Sequence, residues 1–190
     1  MLHAINKIFL TTDQINDIVL ELSKKIEKDY EDYKEVICII VLDGAKNFGE
    51  DLLKKLSDKF RPFFIKAKSY KGKESSEEIK VDMRHITSMA NKDILLIDDI
   101  YDTGKTLSVI LKYLHALRYK TLKTCVLLSR DNHQKKIEIN YIGKKIYHND
   151  FLVGYGLDWD GEYRDWKHIV RVYEDDHTKQ IKEIIKGKKI

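Results

Sequence analysis

Apolar positions recur along this chain at two spacings, and the alternation between them outlines an α/β protein. Ile15, Ile18, Val19, Leu22 and Ile26 repeat every three or four residues, the period of one helix face. Thr11 precedes that face and Gln14 follows three residues later, a capping box that predicts a helix start. Val36–Leu42 is an unbroken apolar run, expected as a strand buried on both faces. Asp43-Gly44-Ala45 punctuates it as a turn, and Phe48, Leu52, Leu53 and Leu56 mark a second helix. Arg61–Tyr70 reads as a strand, with the only proline, Pro62, near its start. Lys71–Glu78 has no apolar residue and is expected as a mobile loop or hairpin tip, with Ile79–Met83 as the returning strand.

A central strand then ends in carboxylates, and Leu107, Ile110, Leu111, Leu114 and Leu117 give the inward face of the helix after it. Leu122–Leu128 is a further buried strand, followed by a polar loop over Ser129–Lys136. Ile137–Ile146, Phe151–Gly156 and Ile169–Tyr173 are the remaining strand candidates, and Lys179–Ile185 a short terminal helix. Strands alternating with helices predict a mostly parallel central sheet flanked by helices. No repeat or linker divides the chain.

Composition narrows the class. The chain has 190 residues, enough for one domain with a substantial core, and its 43% hydrophobic and 35% charged residues describe a globular protein. The net charge of +4 is too balanced to call for nucleic acid. Cys38 and Cys125 both sit in strand-like apolar runs and read as buried thiols. No segment reaches the length of a membrane span and the N-terminus has no signal-peptide core, so a reducing cytoplasm is the expected home.

The chemistry concentrates in Ile94–Leu107. Four apolar residues run into Asp98 and Asp99; Asp102 follows, then the turn Thr103-Gly104-Lys105-Thr106 and the helix. Adjacent carboxylates repel unless a cation or hydroxyl donors sit between them. A helix start with free N–H groups and two hydroxyls suits a phosphate. The combination fits a sugar phosphate with Mg²⁺. Gly104-Lys105-Thr106 alone is reminiscent of a P-loop, but position 99 is Asp where that motif needs glycine.

This stretch resembles the phosphoribosyl pyrophosphate (PRPP) signature of type I phosphoribosyltransferases: apolar strand, two acids, two spacers, then Asp-Thr/Ser-Gly-x-Thr. From about Ile8 to about Glu174 the chain further resembles the 6-oxopurine, hypoxanthine-guanine branch of that family. Val41-Leu42-Asp43-Gly44-Ala45 matches its pyrophosphate loop, with Asp43 where a basic residue is usual. Ser69-Tyr70 matches the pair borne on its closing loop. Leu127-Leu128-Ser129-Arg130 matches its purine-side strand end, with Arg130 in place of lysine. Asp150–Asp158 matches its purine-binding segment, and Tyr163-Arg164-Asp165 its pyrophosphate arginine.

The resemblance implies a type I phosphoribosyltransferase fold with a small hood built from the two ends of a single domain, residues 1–174, and a basic tail, 175–190. It implies transfer of the 5-phosphoribosyl group from PRPP to hypoxanthine or guanine. Asp102 would be the general base. Asp98 and Asp99 would hold the ribose hydroxyls and, with Asp158, Mg²⁺. Residues 102–106, with Thr103, Gly104, Lys105 and Thr106, would bind the 5′-phosphate; Asp43, Gly44 and Arg164 the pyrophosphate. Arg130, the Phe151 ring, the Leu152 backbone and Asp158 would take the purine, under a loop bearing Ser69 and Tyr70. A homodimer or homotetramer is implied, and neither a membrane nor a nucleic acid as partner. A xanthine-preferring enzyme and a non-catalytic RNA-binding, nucleotide-sensing regulator on the same fold are the alternatives.

Overall fold

The computed structural model describes residues 7–71, 77–82, 89–130, 137–148 and 150–172. These form β1 (Lys7–Leu10), α1 (Thr12–Asp29), β2 (Val36–Leu42), α2 (Lys46–Leu53), β3 (Phe60–Lys71), β4 (Glu77–Asp82), β5 (Asp93–Tyr101), α3 (Lys105–His115), β6 (Thr121–Arg130), β7 (Tyr141–Ile146), β8 (Phe151–Val153) and β9 (Ile169–Val172). The predicted tail helix and the loop over 131–136 fall outside the described residues.

The main sheet has the order β4-β3-β2-β5-β6-β7. Its strands run parallel except β4, which returns antiparallel beside β3. β2 and β5 are central, and their apolar runs are buried on both faces, as a covered parallel sheet requires. On one face Cys38, Ile40, Leu95 and Ile97 pack against α1 and α2; on the other Ile39, Val41, Ile94 and Leu96 meet Leu107, Ile110 and Leu114 of α3. A second sheet, β1-β9-β8, joins the first strand to the last two.

Local chemistry sets several boundaries. Thr11 caps α1 with the full capping box: its hydroxyl accepts from the Gln14 N–H at 3.2 Å, and its own N–H donates to the Gln14 side chain at 3.0 Å. Other boundaries differ from those the sequence pattern predicts. β3 continues to Lys71 and β4 begins at Glu77, so hairpin pairing takes up both ends of the expected loop. β6 runs through Ser129 and Arg130, because pairing with Lys145 and Ile146 of β7 overrides their polarity. β7 starts at Tyr141: Asn140 turns its side chain onto the Thr124 N–H at 2.8 Å instead of joining the ladder. β5 passes beyond the Asp98–Asp99 pair to Tyr101, still in register with Ser129.

Candidate active site

The cleft lies where the parallel strands β2 and β5 end, the place ligands occupy in open α/β sheets. It encloses about 300 Å³ and is lined by Asp43, Gly44, Asp98, Asp99, residues 101–107, Asp158 and Arg164, with Val41, Leu42, Ala67 and Ile100 as its apolar wall.

Asp98 and Asp99 form the floor. Asp98 accepts the Asp99 N–H at 3.0 Å, and Asp99 accepts the Ile100 N–H at 2.8 Å. Burial, and then the charge of Asp99, push Asp98 well above the usual carboxylate range. Burial raises Asp99 too, opposed by its hydrogen bonds to Asp98 and the Ile100 N–H and by the Arg164 charge. Two desolvated neighbouring acids of this kind mark a functional site.

The turn after β5 holds the opposite character. Gly104 adopts φ +75°, a left-handed conformation that glycine enters without strain, and from there α3 begins with no side-chain cap on its N-terminus. A Cβ at Gly104 would lie 2.7 Å from the Tyr101 ring. The Lys105 N–H donates to the Thr103 hydroxyl at 3.4 Å, and this turn lines the cleft as a helix N-terminus of the kind that suits an anion, whereas in α1 the Thr11 hydroxyl takes up the Gln14 N–H.

The opposing wall is the turn after β2. Its Leu42–Asp43 peptide bond is cis. A Cβ at Gly44 would fall 2.1 Å from Asp99 Oδ2, and one at Gly156 would fall 2.0 Å from the Gly44 carbonyl oxygen. The turn is therefore packed between the floor and the β8–β9 connection with no room for side chains. Arg164 closes this side: Nη2 lies 2.7 Å from Asp158 Oδ1, and Nη1 donates to the Gly156 carbonyl at 2.8 Å. Asp158 Oδ2 accepts the Gly161 N–H at 2.8 Å.

Eleven of the residues singled out from sequence meet in this cleft: Asp43, Gly44, Asp98, Asp99, Asp102, Thr103, Gly104, Lys105, Thr106, Asp158 and Arg164. Ser69 and Tyr70 lie on β3, paired with Ile79 and Glu78 of β4. Arg130 stands beside the cleft, 3.0 Å from Asp102. Phe151 is half exposed on β8 with its ring edge-on to Trp159 at 5.1 Å, while Leu152 is buried. Asp98, Asp99 and Asp158 are the residues expected at Mg²⁺; among the described residues no three acids, histidines or cysteines are grouped to hold a metal directly. The physical reason is that Asp158 is turned onto Arg164 and Gly161.

Three contributors were not foreseen. Lys66 on β3 brings its ammonium 3.7 Å from Asp43, placing a cation beside the acidic loop residue. Tyr101 lies under the glycine of the turn, and Trp159 packs on Phe151. Trp159 directly follows the matched segment that ends at Asp158 and could have been read; the Lys66 contact depends on the β2–β3 register, which no local pattern reveals.

Residues 9–160 match the model of the phosphoribosyl transferase domain. The chain belongs to the phosphoribosyltransferase family. It is 36% identical over 171 residues to a hypoxanthine-guanine phosphoribosyltransferase of Staphylococcus aureus, spanning 89% of this chain and 94% of that one. A crystal structure of a hypoxanthine phosphoribosyltransferase from Staphylococcus aureus superposes with TM-score 0.80 at 35% identity, covering 88% of this chain and 91% of that one. The Trypanosoma cruzi hypoxanthine phosphoribosyltransferase in complex with the product IMP superposes with TM-score 0.79 at 31% identity, covering 91% and 96%. The type I phosphoribosyltransferase fold expected from the sequence is the fold observed. No helix among the described residues is long and apolar enough to cross a membrane.

Proposed function

We propose that this phosphoribosyltransferase moves the 5-phosphoribosyl group from PRPP to a ring nitrogen of hypoxanthine or guanine, giving IMP or GMP and pyrophosphate in purine salvage. The observation that carries the reading is the junction of β5 and α3. Two adjacent carboxylates, one buried and one half-buried, a third on the following turn and the N-terminus of α3 line one side of the cleft, and the glycine turn after β2 faces them.

Each part has a task. The N–H groups opening α3, with the Thr103 and Thr106 hydroxyls and Lys105, bind the 5′-phosphate. Asp98 and Asp99 accept the ribose hydroxyls. The backbone around Asp43-Gly44, with Lys66 nearby and Arg164 opposite, receives the departing pyrophosphate. Phe151 stacks on the purine, and the Leu152 backbone and Asp158 meet its edge. Asp102, on the turn above the sugar, takes the proton from the purine's imidazole nitrogen as the new bond forms. By the resemblance, the segment bearing Ser69 and Tyr70 would close over the transition state, keeping water from a sugar that becomes oxocarbenium-like.

The lining also fits Mg²⁺. Of the five carboxylates that line the cleft, Asp43, Asp102 and Asp158 lie against Lys66, Arg130 and Arg164, and the adjacent Asp98 and Asp99 offer a hard cation oxygen donors beside the substrate phosphates. Mg²⁺ takes one or two carboxylates together with substrate phosphates; Asp98 and Asp99 are the pair that would hold it. When bound, it neutralises charge on the pyrophosphate leaving group. A single domain over 1–174 with residues 175–190 as a tail, a homo-oligomeric assembly and a cytoplasmic setting complete the proposal.

A spectrophotometric assay with PRPP and hypoxanthine, guanine, xanthine, adenine or uracil tests it. Turnover of hypoxanthine or guanine is expected. Turnover of xanthine alone assigns a different purine, and no turnover of any base, with nucleotide still bound, leaves a regulator.

A further inference from the structure

Arg130 stands where the family resemblance places a lysine that reads the purine, yet its guanidinium is already committed within the protein. The side chain leaves the end of β6 only 11% exposed. Nε donates to Asp102 Oδ1 at 3.0 Å, Nη2 donates to the Asp150 carbonyl at 3.0 Å, and Nη1 donates to the His148 carbonyl. All three nitrogens are engaged, each with a different acceptor. Those acceptors belong to separate parts of the molecule. Asp102 is on the turn after β5; His148 and Asp150 lead into β8, in the other sheet. Asp150 is itself held by Arg171, Nε to Oδ2 at 3.3 Å, and it immediately precedes Phe151.

We propose that Arg130 is a positioning residue that ties the carboxylate of Asp102 to the carbonyls entering the purine-stacking strand. On this view it sets the proton acceptor and the Phe151 ring against each other, rather than reading the base. The proposal rests on Asp102 being the proton acceptor for a purine. A planar fork with donors on three nitrogens spans three separated acceptors; an ammonium concentrates its donors on one atom and cannot. Lysine at this position therefore does not reproduce the tie. This distinguishes the tie from base reading, where lysine serves.

The test is a set of Arg130→Ala and Arg130→Lys variants in the parent chain and in Asp102→Asn, assayed with hypoxanthine and PRPP. Arg130→Ala is expected to lower kcat by about tenfold or more and to raise the purine KM, with the PRPP dissociation constant within about twofold of the parent. Arg130→Lys is expected to restore neither. In Asp102→Asn the Arg130→Ala change is expected to alter kcat by less than about twofold, the signature of two groups acting as one unit. Restoration by lysine, an effect confined to the purine KM, or the same factor in both backgrounds would each overturn the tie.

A second readout does not depend on turnover. In a Trp166→Phe background Trp159, 5.1 Å from Phe151, reports on the β8 segment. Its emission is expected to shift in ligand-free Arg130→Ala and Arg130→Lys. Unchanged emission overturns the tie, whereas a parent chain inactive on every purine overturns the reaction alone. If Arg130→Ala fails to fold, Arg130→Lys and Arg130→Gln carry both measurements.

Discussion

Asp102 and Asp98 show how residues of one chemical type, four positions apart, take opposite roles from their surroundings. Asp102 is half exposed at the start of the turn and paired with Arg130. If Asp102 is the proton acceptor proposed above, Asp102→Asn removes it while keeping the shape, so kcat should fall by about two orders of magnitude or more with PRPP binding nearly unchanged; steady-state kinetics and calorimetric PRPP binding check this. Asp98 is buried, and its carboxyl holds its proton to higher pH in the folded chain than in the unfolded one. At this group the folded state then binds more protons, so its own contribution to stability is greatest below the unfolded carboxylate range and falls as pH rises toward the raised folded value. Asp98→Asn removes that loss. Its ligand-free melting temperature at neutral pH should exceed the parent's, by about 2–4 °C for each kcal/mol recovered, with a flatter pH profile and impaired PRPP use. Melting curves from pH 4 to 8 decide it. A type of residue and its spacing were readable for both acids; their difference in burial was not, because β5 runs on past the pair.

At the scale of elements, the β5–turn–α3 unit was legible almost residue by residue. Local signals, namely an apolar run, a glycine and a helical period, specify it without long-range help. The turn at Asp43-Gly44 was legible as a turn and, by resemblance, as a pyrophosphate loop, but its packing was not. What shapes it is Gly156 pressing on the Gly44 carbonyl from a segment more than a hundred residues away in the chain. Gly156→Ala, at φ +100° and with a Cβ 2.0 Å from that oxygen, should cost roughly 1–3 kcal/mol and raise the KM for PRPP. Gly161→Ala, where the positive φ of +87° is kept but a Cβ meets nothing within 4 Å, should cost only the backbone strain, about 1–2 kcal/mol, and leave KM unchanged. Thermal melts and PRPP titrations of the two variants separate packing from backbone strain. β3 and β4 outran their sequence pattern for a related reason: antiparallel pairing satisfies backbone groups even where side chains are polar.

Across the whole molecule, the cleft is assembled from the two sheets. The large sheet supplies Asp98, Asp99 and the turn over residues 102–106; the β8–β9 connection supplies Asp158 and Arg164. A ligand touching both should stabilise the whole chain. PRPP with Mg²⁺ at about a hundred times its dissociation constant adds roughly 2.7 kcal/mol, a rise of several degrees in melting temperature, and chelating the Mg²⁺ should remove most of it. Arg164→Ala, which frees Asp158 and removes the cation opposite Gly44, should abolish most of that shift and raise the KM for PRPP by about tenfold or more. Thermal-shift and kinetic titrations of the variant, with and without chelator, measure both effects.

From sequence alone came the α/β class, the order of nearly all elements, the PRPP chemistry and eleven of the residues that line the cleft. All of these rest on short-range patterns, since periodicity, turn chemistry and a fourteen-residue motif lie within single stretches of chain. Only the tertiary structure decided which charges meet. Lys66 reaches Asp43 through strand register; Asp158 is taken by Arg164; Arg130 is held by Asp102 and two carbonyls of the other sheet. Hydrogen-bond partners at long sequence separation are chosen by packing and burial, which no local window contains. For that reason the stretch Ile94–Leu107 announced the reaction, while the part played by Arg130 emerged only when the two sheets were seen side by side.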